Sequence, residues 1–320
     1  MMMKLIKQKM RIIYDIEEWN EDAVVATIGF FDGVHPGHRY LLQEMQKIAK
    51  ERNLPSAIIT FTTHPRIVLH SDYQPKLLNS FDEKIELLSK TGVDYIIVND
   101  FTISLAALSA KEFISDVLFT KWHVKTLLIG YDHRFGRFRV DGFEQYVVYG
   151  MECGMEIVKA SSYDDKGKIV SSSTIRRLIE HGNVASATRL MGYGYRLKGH
   201  VIGGQKLGRS IGFPTANIAV DEKFKVIPAK GSYAVWIVID DKKYKGMLYI
   251  GSRPTIDNDD SISIEVNIFD FSDDIYSKSV TVEFVDFIRE DIKFDSLDSL
   301  KKQMNADKKR VIQQLTINKL

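Results

Sequence analysis

Two histidines three residues apart, His35 and His38, sit in the decapeptide GFFDGVHPGH at residues 29–38, just after Gly29, Phe30 and Asp32. The apolar run AVVATIG leads into it, and the helix-spaced RYLLQEMQKIAKER follows. A glycine-bearing turn from strand to helix lets backbone approach a ligand and aims unpaired helix N–H groups at it. Anions gain from those donors and from the helix dipole. Imidazole N–H groups can add hydrogen bonds to phosphate oxygens. Zinc is a poorer fit, because helical His pairs that ligate it sit at i and i+4. The lone cysteine, Cys153, also leaves no cysteine cluster to complete such a site. On this decapeptide alone, a phosphate site, a metal site and a plain Gly-Pro turn all stay open.

Three further stretches carry chemistry. VSSSTIRRLIEHG, residues 170–182, sets Ser171, Ser172 and Ser173 ahead of a helix opening with Ile175 and Arg176. Serines there are ordinary helix caps, or together with Arg176 a second grip on phosphate. GYDHRFGRFR, residues 130–139, offers Asp132, Arg134 and Arg139, as surface ion pairs or as partners for ribose and phosphate. GHVIGGQKLGRSIGFPTAN, residues 199–217, contains Gly203, Gly204 and Gly208 and ends in Thr215 and Asn217. It reads as a glycine-rich hairpin or as a phosphate cradle. In an extended segment Thr215 and Asn217 face the same way, so a hydroxyl and an amide oxygen lie side by side as Mg²⁺ ligands. SISIEVNIFDF puts Ile262, Ile264, Val266 and Ile268 on one strand face and Glu265 on the other with Ser263 and Asn267. By pattern alone that second face is solvent-exposed.

These groups need two different scaffolds. Up to about residue 185, short β-branched runs (AVVATIGF, SAIITF, DYIIVND, TLLIGYD) alternate with helical stretches (YLLQEMQKIAKE, DEKIELLSK, AKEFISDVLFTKW). That alternation predicts a parallel sheet covered on both faces, with ligands beyond the carboxyl ends of its strands. From about residue 193, five strand-like runs follow with no helix pattern between them, which predicts an antiparallel barrel or sandwich. A helical segment, SLDSLKKQMNADKKRVIQQL, comes last.

At 320 residues the chain is long enough for two cores. Lys and Arg number 44 against 42 Asp and Glu, so the charge balance draws the protein to no nucleic acid. A single cysteine excludes an internal disulfide and suits a reducing cytoplasm. The opening MMMKLIKQKMRIIYD has no apolar run of the kind a secretory signal needs. No stretch approaches the roughly 18 apolar residues of a membrane span.

Taken in order, G-x-F-D-G-V-H-x-G-H, F-x-x-H-P (Phe61, His64, Pro65), G-x-D-x-R-F-G and S-S-[ST]-x-I-R resemble bacterial bifunctional riboflavin kinase/FAD synthetases. The H-x-G-H core alone belongs to the wider nucleotidylyltransferase superfamily. The later G-x-x-x-G-R-x-x-G-F-P-T-A-N, G-S-R-P-T (251–255) and I-E-V-N-I-F-D-F are similar to the riboflavin kinase barrel of the same enzymes. The likeness runs from about Tyr14 to Val311. It implies a Rossmann-like nucleotidylyltransferase domain at 1–188, then a riboflavin kinase β-barrel with a C-terminal helix at 189–320.

The implied reactions are phosphorylation of riboflavin by ATP to FMN, then adenylylation of FMN by ATP to FAD and pyrophosphate. The resemblance casts His35 and His38 as ligands of the ATP phosphates, with Gly29, Phe30, Asp32, Asp132 and Arg134 shaping the nucleotide site. Ser171, Ser172, Ser173 and Arg176 hold the departing phosphates. It casts Glu265 as the kinase general base, Gly203, Gly204 and Gly208 as the phosphate loop, Thr215 and Asn217 as Mg²⁺/ATP ligands, and Arg289 on the flavin side. Departures from the family pattern are Ser173 for threonine, His133 for phenylalanine, Asn267 for histidine, Ile256 for phenylalanine and Ser277 for glycine. The expected partners are these small molecules, with no nucleic acid, membrane or obligate protein partner. Two rivals are a first domain acting on another phosphorylated substrate, and a non-enzymatic flavin- or nucleotide-binding regulator.

Overall fold

The computed structural model describes residues 10–69, 76–131, 133–137, 140–163, 170–204, 208, 212–252 and 262–317. Contacts divide the chain into two compact units, Met1–Pro75 with Asn79–Ser171, and Lys76–Leu78 with Ser172–Leu320.

The first unit runs β1 (Arg11–Ile13), β2 (Val24–Ile28), α1 (Pro36–Glu51), β3 (Ser56–Phe61), α2 (Pro65–Leu69), α3 (Phe81–Ser89) and β4 (Tyr95–Asn99). It continues with α4 (Ile103–Ala107), α5 (Ala110–Glu112), a π-helical stretch Phe113–Lys121, β5 (Val124–Ile129), α6 (Phe143–Cys153) and β6 (Glu156–Lys159). The six strands form one sheet in the order β1-β4-β3-β2-β5-β6, every pair parallel. Alternate residues of β2 feed two cores: Val24, Ala26 and Ile28 pack with Phe113, Ile114 and Tyr146, while Val25 packs with Leu42, Met45 and Leu88. Both sheet faces are therefore dry, which is why these strands read as unbroken apolar runs. The short edge strands β1 and β6 carry too few residues for a period to register, and sequence patterning passes over them.

Helix starts are chemically specified. Ser80 and Glu83 close a capping box on α3, with the Glu83 N–H donating to Ser80 Oγ (3.2 Å) and the Ser80 N–H to Glu83 Oε2 (2.9 Å). Pro36 opens α1, where its missing N–H costs nothing.

The second unit holds α7 (Ser172–Glu180), α8 (Val184–Met191), β7 (Arg196–Ile202), β8 (Ala216–Val220), β9 (Gly231–Ile239), β10 (Lys242–Ser252), β11 (Ile262–Ile268), β12 (Ser279–Arg289) and α9 (Leu297–Ile317). The strands close into an antiparallel barrel in the order β10-β11-β8-β7-β12-β9. Helix α9 packs Val311 and Leu315 against Ala234, Met247 and Val285 of the barrel wall. Lys76–Leu78 joins this unit through a parallel bridge from Leu77 to Lys225, and the buried Lys225 ammonium donates to Leu78 O at 2.7 Å. Among the described residues no helix is long and apolar enough to cross a membrane.

Candidate functional site

In the first unit, strand order reverses between β2 and β5, whose chain neighbours lie on opposite sides. An open parallel sheet leaves its ligand crevice at such a reversal, beyond the carboxyl ends of the strands. The turn after β2 lies there. It is a strained turn, since Phe31 (φ 57°), Gly33 (φ 86°) and Val34 (φ 33°) all adopt left-handed backbone. For a β-branched residue such as Val34 this is unusual and costs on the order of 1–3 kcal/mol, recovered from surrounding packing. The restraints are visible. The Asn79 N–H donates to Asp32 Oδ1 (3.2 Å), Thr60 Oγ1 to Phe30 O (3.4 Å), and Phe31 and Val34 are buried.

His35 occupies the cap position of α1; its carbonyl accepts from the Arg39 N–H at 3.0 Å, but its side chain makes no capping bond, so the first N–H groups are left to another acceptor. Its ring stacks on that of His38 with centroids 3.8 Å apart and planes inclined by 20°, and the Phe31 ring edge meets His38 at 5.3 Å. Nδ1 of each histidine is buried with no hydrogen-bond partner among the described residues. Burial, and then the Arg39 charge, push His35 down to about 4. Burial drives His38 well below the usual histidine range, helped by His35 and His133. Both imidazoles are therefore neutral, each with one N–H to give. Stacked rings 3.8 Å apart keep their in-plane lone pairs in two separate, near-parallel planes, a poor arrangement for one ion about 2.1 Å from a nitrogen of each. No group of three His, Cys, Asp or Glu residues suited to a metal gathers among the described residues. The geometry favours an anion over zinc.

Sequence reasoning missed Lys84. This lysine on α3 is 2% exposed. Its ammonium donates to Phe61 O (2.7 Å) and Thr60 Oγ1 (3.2 Å) at the end of β3, and lies 4.0 Å from the centre of the Phe30 ring. Burial lowers its pKa to about 7, with Asp32 pulling upward. A signal was available. Phe81, Lys84, Ile85 and Leu88 share the i, i+3, i+4, i+7 stripe that turns inward, and the lysine stands in its middle.

Of the remaining first-domain expectations, Gly29 is buried at the end of β2, and Arg134 is exposed. Asp132 and Arg139 lie outside the described residues. His133, though not expected in the site, is close enough to His38 to shift it. Helix α7 begins at Ser172, three residues earlier than the sequence suggests, so Ser172 and Ser173 lie in its first turn rather than ahead of it. Arg176 Nε donates to Lys76 O at 2.5 Å, beside an ion pair from Lys76 to Glu180 at 2.8 Å. Ser171 is the last residue of the first unit, while Ser172, Ser173 and Arg176 group with the barrel.

In the second unit three expected residues meet. Glu265 on β11 pairs in register with Asn217 on β8, and Thr215 Oγ1 donates to Glu265 Oε2 at 3.1 Å. Gly203 and Gly204 follow β7. A Cβ on Gly204 would overlap the Asn217 side-chain amide, and one on Gly208 the Phe213 carbonyl oxygen, so bare backbone is required at both. The second face of β11 is not solvent-exposed, as its alternation suggested. Ser263 and Asn267 are buried, and Asn267 Nδ2 donates to Pro214 O (2.7 Å) just before Thr215. A closed barrel wall can bury both faces of a strand, which period-2 reasoning does not foresee. Arg289 ends β12 and is held by buried Asp307 of α9 (Nε to Oδ2, 2.7 Å), whose Oδ1 accepts from Gln303 (2.8 Å). Ser277, where the family pattern has glycine, sits at φ 62°. Ile256 lies outside the described residues.

A family model described as FAD synthetase matches residues 17–174, and one described as riboflavin kinase matches 191–315. A "Bifunctional riboflavin kinase/FMN adenylyltransferase" from Escherichia coli is 38% identical over 306 residues, covering 95% of this chain and 96% of its own. Its counterpart from Haemophilus influenzae is 39% identical over 282 residues, covering 88% and 91%. A crystal structure from Streptococcus pneumoniae, described as a macrolide-efflux protein, matches with a TM-score of 0.83 and 32% identity over 97% of this chain and 99% of that one. The FAD synthetase match covers most of the parallel-sheet unit and the riboflavin kinase match covers the barrel strands. The chain belongs to the bifunctional riboflavin kinase/FMN adenylyltransferase family.

Proposed function

We propose that this enzyme makes FMN at the Thr215–Asn217–Glu265 cluster and FAD at the turn bearing His35 and His38. In the kinase reaction, Glu265 takes the proton of the terminal ribityl hydroxyl as that oxygen attacks the γ-phosphorus of ATP, and ADP leaves. Thr215 and Asn217 offer two neutral side-chain oxygens beside a carboxylate, a hard-oxygen set that fits Mg²⁺. Magnesium bound there with ATP supplies charge neutralisation at the transferred phosphoryl group. Gly203, Gly204 and Gly208 bring backbone N–H groups to the phosphates, and Arg289 serves the flavin side.

In the second reaction a phosphate oxygen of FMN attacks the α-phosphorus of ATP and pyrophosphate leaves, with no covalent enzyme intermediate. His35 and His38 donate to the phosphate oxygens as charge builds, and Gly29, Phe30 and Asp32 shape the nucleotide site. Asp132 and Arg134 contact the nucleotide. Ser171, Ser172, Ser173 and Arg176 hold the leaving pyrophosphate. The catalytic domains span 1–188 and 189–320, and the enzyme works in the cytoplasm on small molecules, without nucleic acid, membrane or an obligate protein partner. What carries the first assignment is the Thr215–Glu265 bond opposite Asn217. What carries the second is the pair of buried imidazole nitrogens lacking a partner among the described residues. The test supplies purified enzyme with riboflavin and ATP, and separately with FMN and ATP. Absence of FAD in the second mixture overturns the adenylyl-transfer assignment, and absence of FMN in the first overturns the kinase assignment.

A further inference from the structure

Lys84 is an expensive way to fill a core. A buried ammonium is tolerated only when paired, and an apolar side chain of similar volume commonly serves stability as well or better. Methionine would fit the stripe formed by Phe81, Ile85 and Leu88. What methionine cannot do is bond to the end of β3 while standing over the ring that opens the nucleotide turn. The groups facing the ammonium come from three elements: Asp32 and the Phe30 ring from the turn after β2, Thr60 Oγ1 and Phe61 O from β3, and the Phe81 ring, 5.4 Å away, from its own helix. His64, the histidine of the F-x-x-H-P motif, meets the Phe30 ring in an edge-type contact, with centroids 4.7 Å apart. Thr60 Oγ1 also donates to Phe30 O (3.4 Å), so the hydroxyl that receives the ammonium's hydrogen bond passes the restraint on to the turn.

We propose that Lys84 is a positioning residue for adenylyl transfer, whose ammonium clamps the Phe30–Asp32 turn to the end of β3 and so fixes where His35 and His38 meet the nucleotide. This rests on the assignment of the His35/His38 turn to ATP. The turn needs such a clamp because its left-handed residues, Phe31 and Val34, would relax without external restraint. Displacement of reacting groups by about 1 Å costs on the order of a hundredfold in rate. The clamp works while the amine is protonated, and its lowered pKa puts the loss of that proton near neutral pH.

The test compares wild type with K84M and T60V in full-length enzyme. It measures kcat and KM for ATP in FAD formation across pH 5 to 9, roughly two units either side of the lysine's shifted pKa of about 7, with riboflavin phosphorylation as the internal control. In wild type, FAD formation declines as pH rises through the range where the buried ammonium deprotonates. K84M is expected to lower kcat for FAD formation by about tenfold or more, to lose that pH limb, and to leave riboflavin phosphorylation within about twofold. T60V removes one acceptor of the ammonium, so its limb moves to lower pH with a smaller loss of kcat. It also covers the case in which K84M fails to fold. Wild-type kcat in K84M overturns the proposal, as does a lowered kcat with the pH limb intact, or a T60V profile superposing on wild type. Retention of FAD formation by H38A overturns the underlying site assignment instead, so the two failures are told apart.

Discussion

Thr215 and Glu265 are joined by a 3.1 Å hydrogen bond from the residue just ahead of β8 to the middle of β11. The bond engages one of the two carboxylate oxygens, Oε2. The Asn217 amide stands opposite on the paired strand. Strand register thus sets the Glu265 carboxylate opposite the Asn217 amide, and the hydrogen bond ties the Thr215 hydroxyl to that pair.

Replacing Glu265 should separate the two activities. E265Q keeps the shape and an acceptor for Thr215 but cannot take a proton. Riboflavin phosphorylation should fall by about 10²- to 10⁴-fold, while FAD formation from supplied FMN stays within about twofold. H38A should give the mirror image, with the kinase intact and FAD formation lost. Chromatographic separation of riboflavin, FMN and FAD reads both. An E265Q enzyme phosphorylating riboflavin at the wild-type rate rules out Glu265 as base.

Acid should weaken the first unit through its neutral histidines. His35 falls from 6.5 to about 4 on folding, so between those values the unfolded chain holds more protons than the folded one. Stability therefore rises with pH across that window and is lost as pH falls toward 4, by on the order of 3 kcal/mol for full titration. His38 acts in the same direction. Urea unfolding at a series of pH values should show the slope, and H35Q should flatten it. An H35Q profile parallel to wild type would assign the acid sensitivity elsewhere.

The glycine loop predicts a steric effect on one reaction only. In G204A the new methyl must displace Asn217, which is itself buried on β8. Riboflavin phosphorylation should drop about tenfold or more, with FAD formation from FMN unchanged. Equal kinase rates for G204A and wild type would mean that the Asn217 amide can move without consequence.

Ser277 offers a stabilising substitution. Its φ of 62° places a side chain where L-residues are strained, and its N–H is already engaged by Val201 O at 3.0 Å. S277G should stabilise the barrel unit by about 1 kcal/mol, the left-handed penalty offset in part by the greater freedom of glycine when unfolded. Chemical denaturation measures it. A neutral or destabilising result would show that the serine hydroxyl compensates.

Much of the architecture was legible because its signals are local and repeated. The four apolar runs became β2 to β5, and the shift to strand-only grammar near residue 193 marked the barrel. Glu265 and Asn217 could be paired only through their place in a family motif, since nothing in one strand's pattern says which residue stands opposite on another. Lys84 escaped because a charged residue inside an apolar stripe is ordinarily assigned to solvent, and its partners lie on other elements. The starts of helices are similarly under-determined: serines are compatible with a position before α7 or in its first turn, and in the fold the helix starts at Ser172 and buries Ile175 and Ile179.

The bridge from Leu77 to Lys225 carries a consequence for how the chain can be divided. Leu78 and the lysine that bonds to its carbonyl are 147 residues apart. During synthesis the segment Lys76–Leu78 must wait for most of the polypeptide to emerge before it finds its place, and such long-range closure is slow. The barrel unit is thus discontinuous in sequence. A fragment begun between Asn79 and Tyr195 carries every barrel strand and still lacks part of the folded unit, leaving the Lys225 ammonium without its Leu78 carbonyl acceptor.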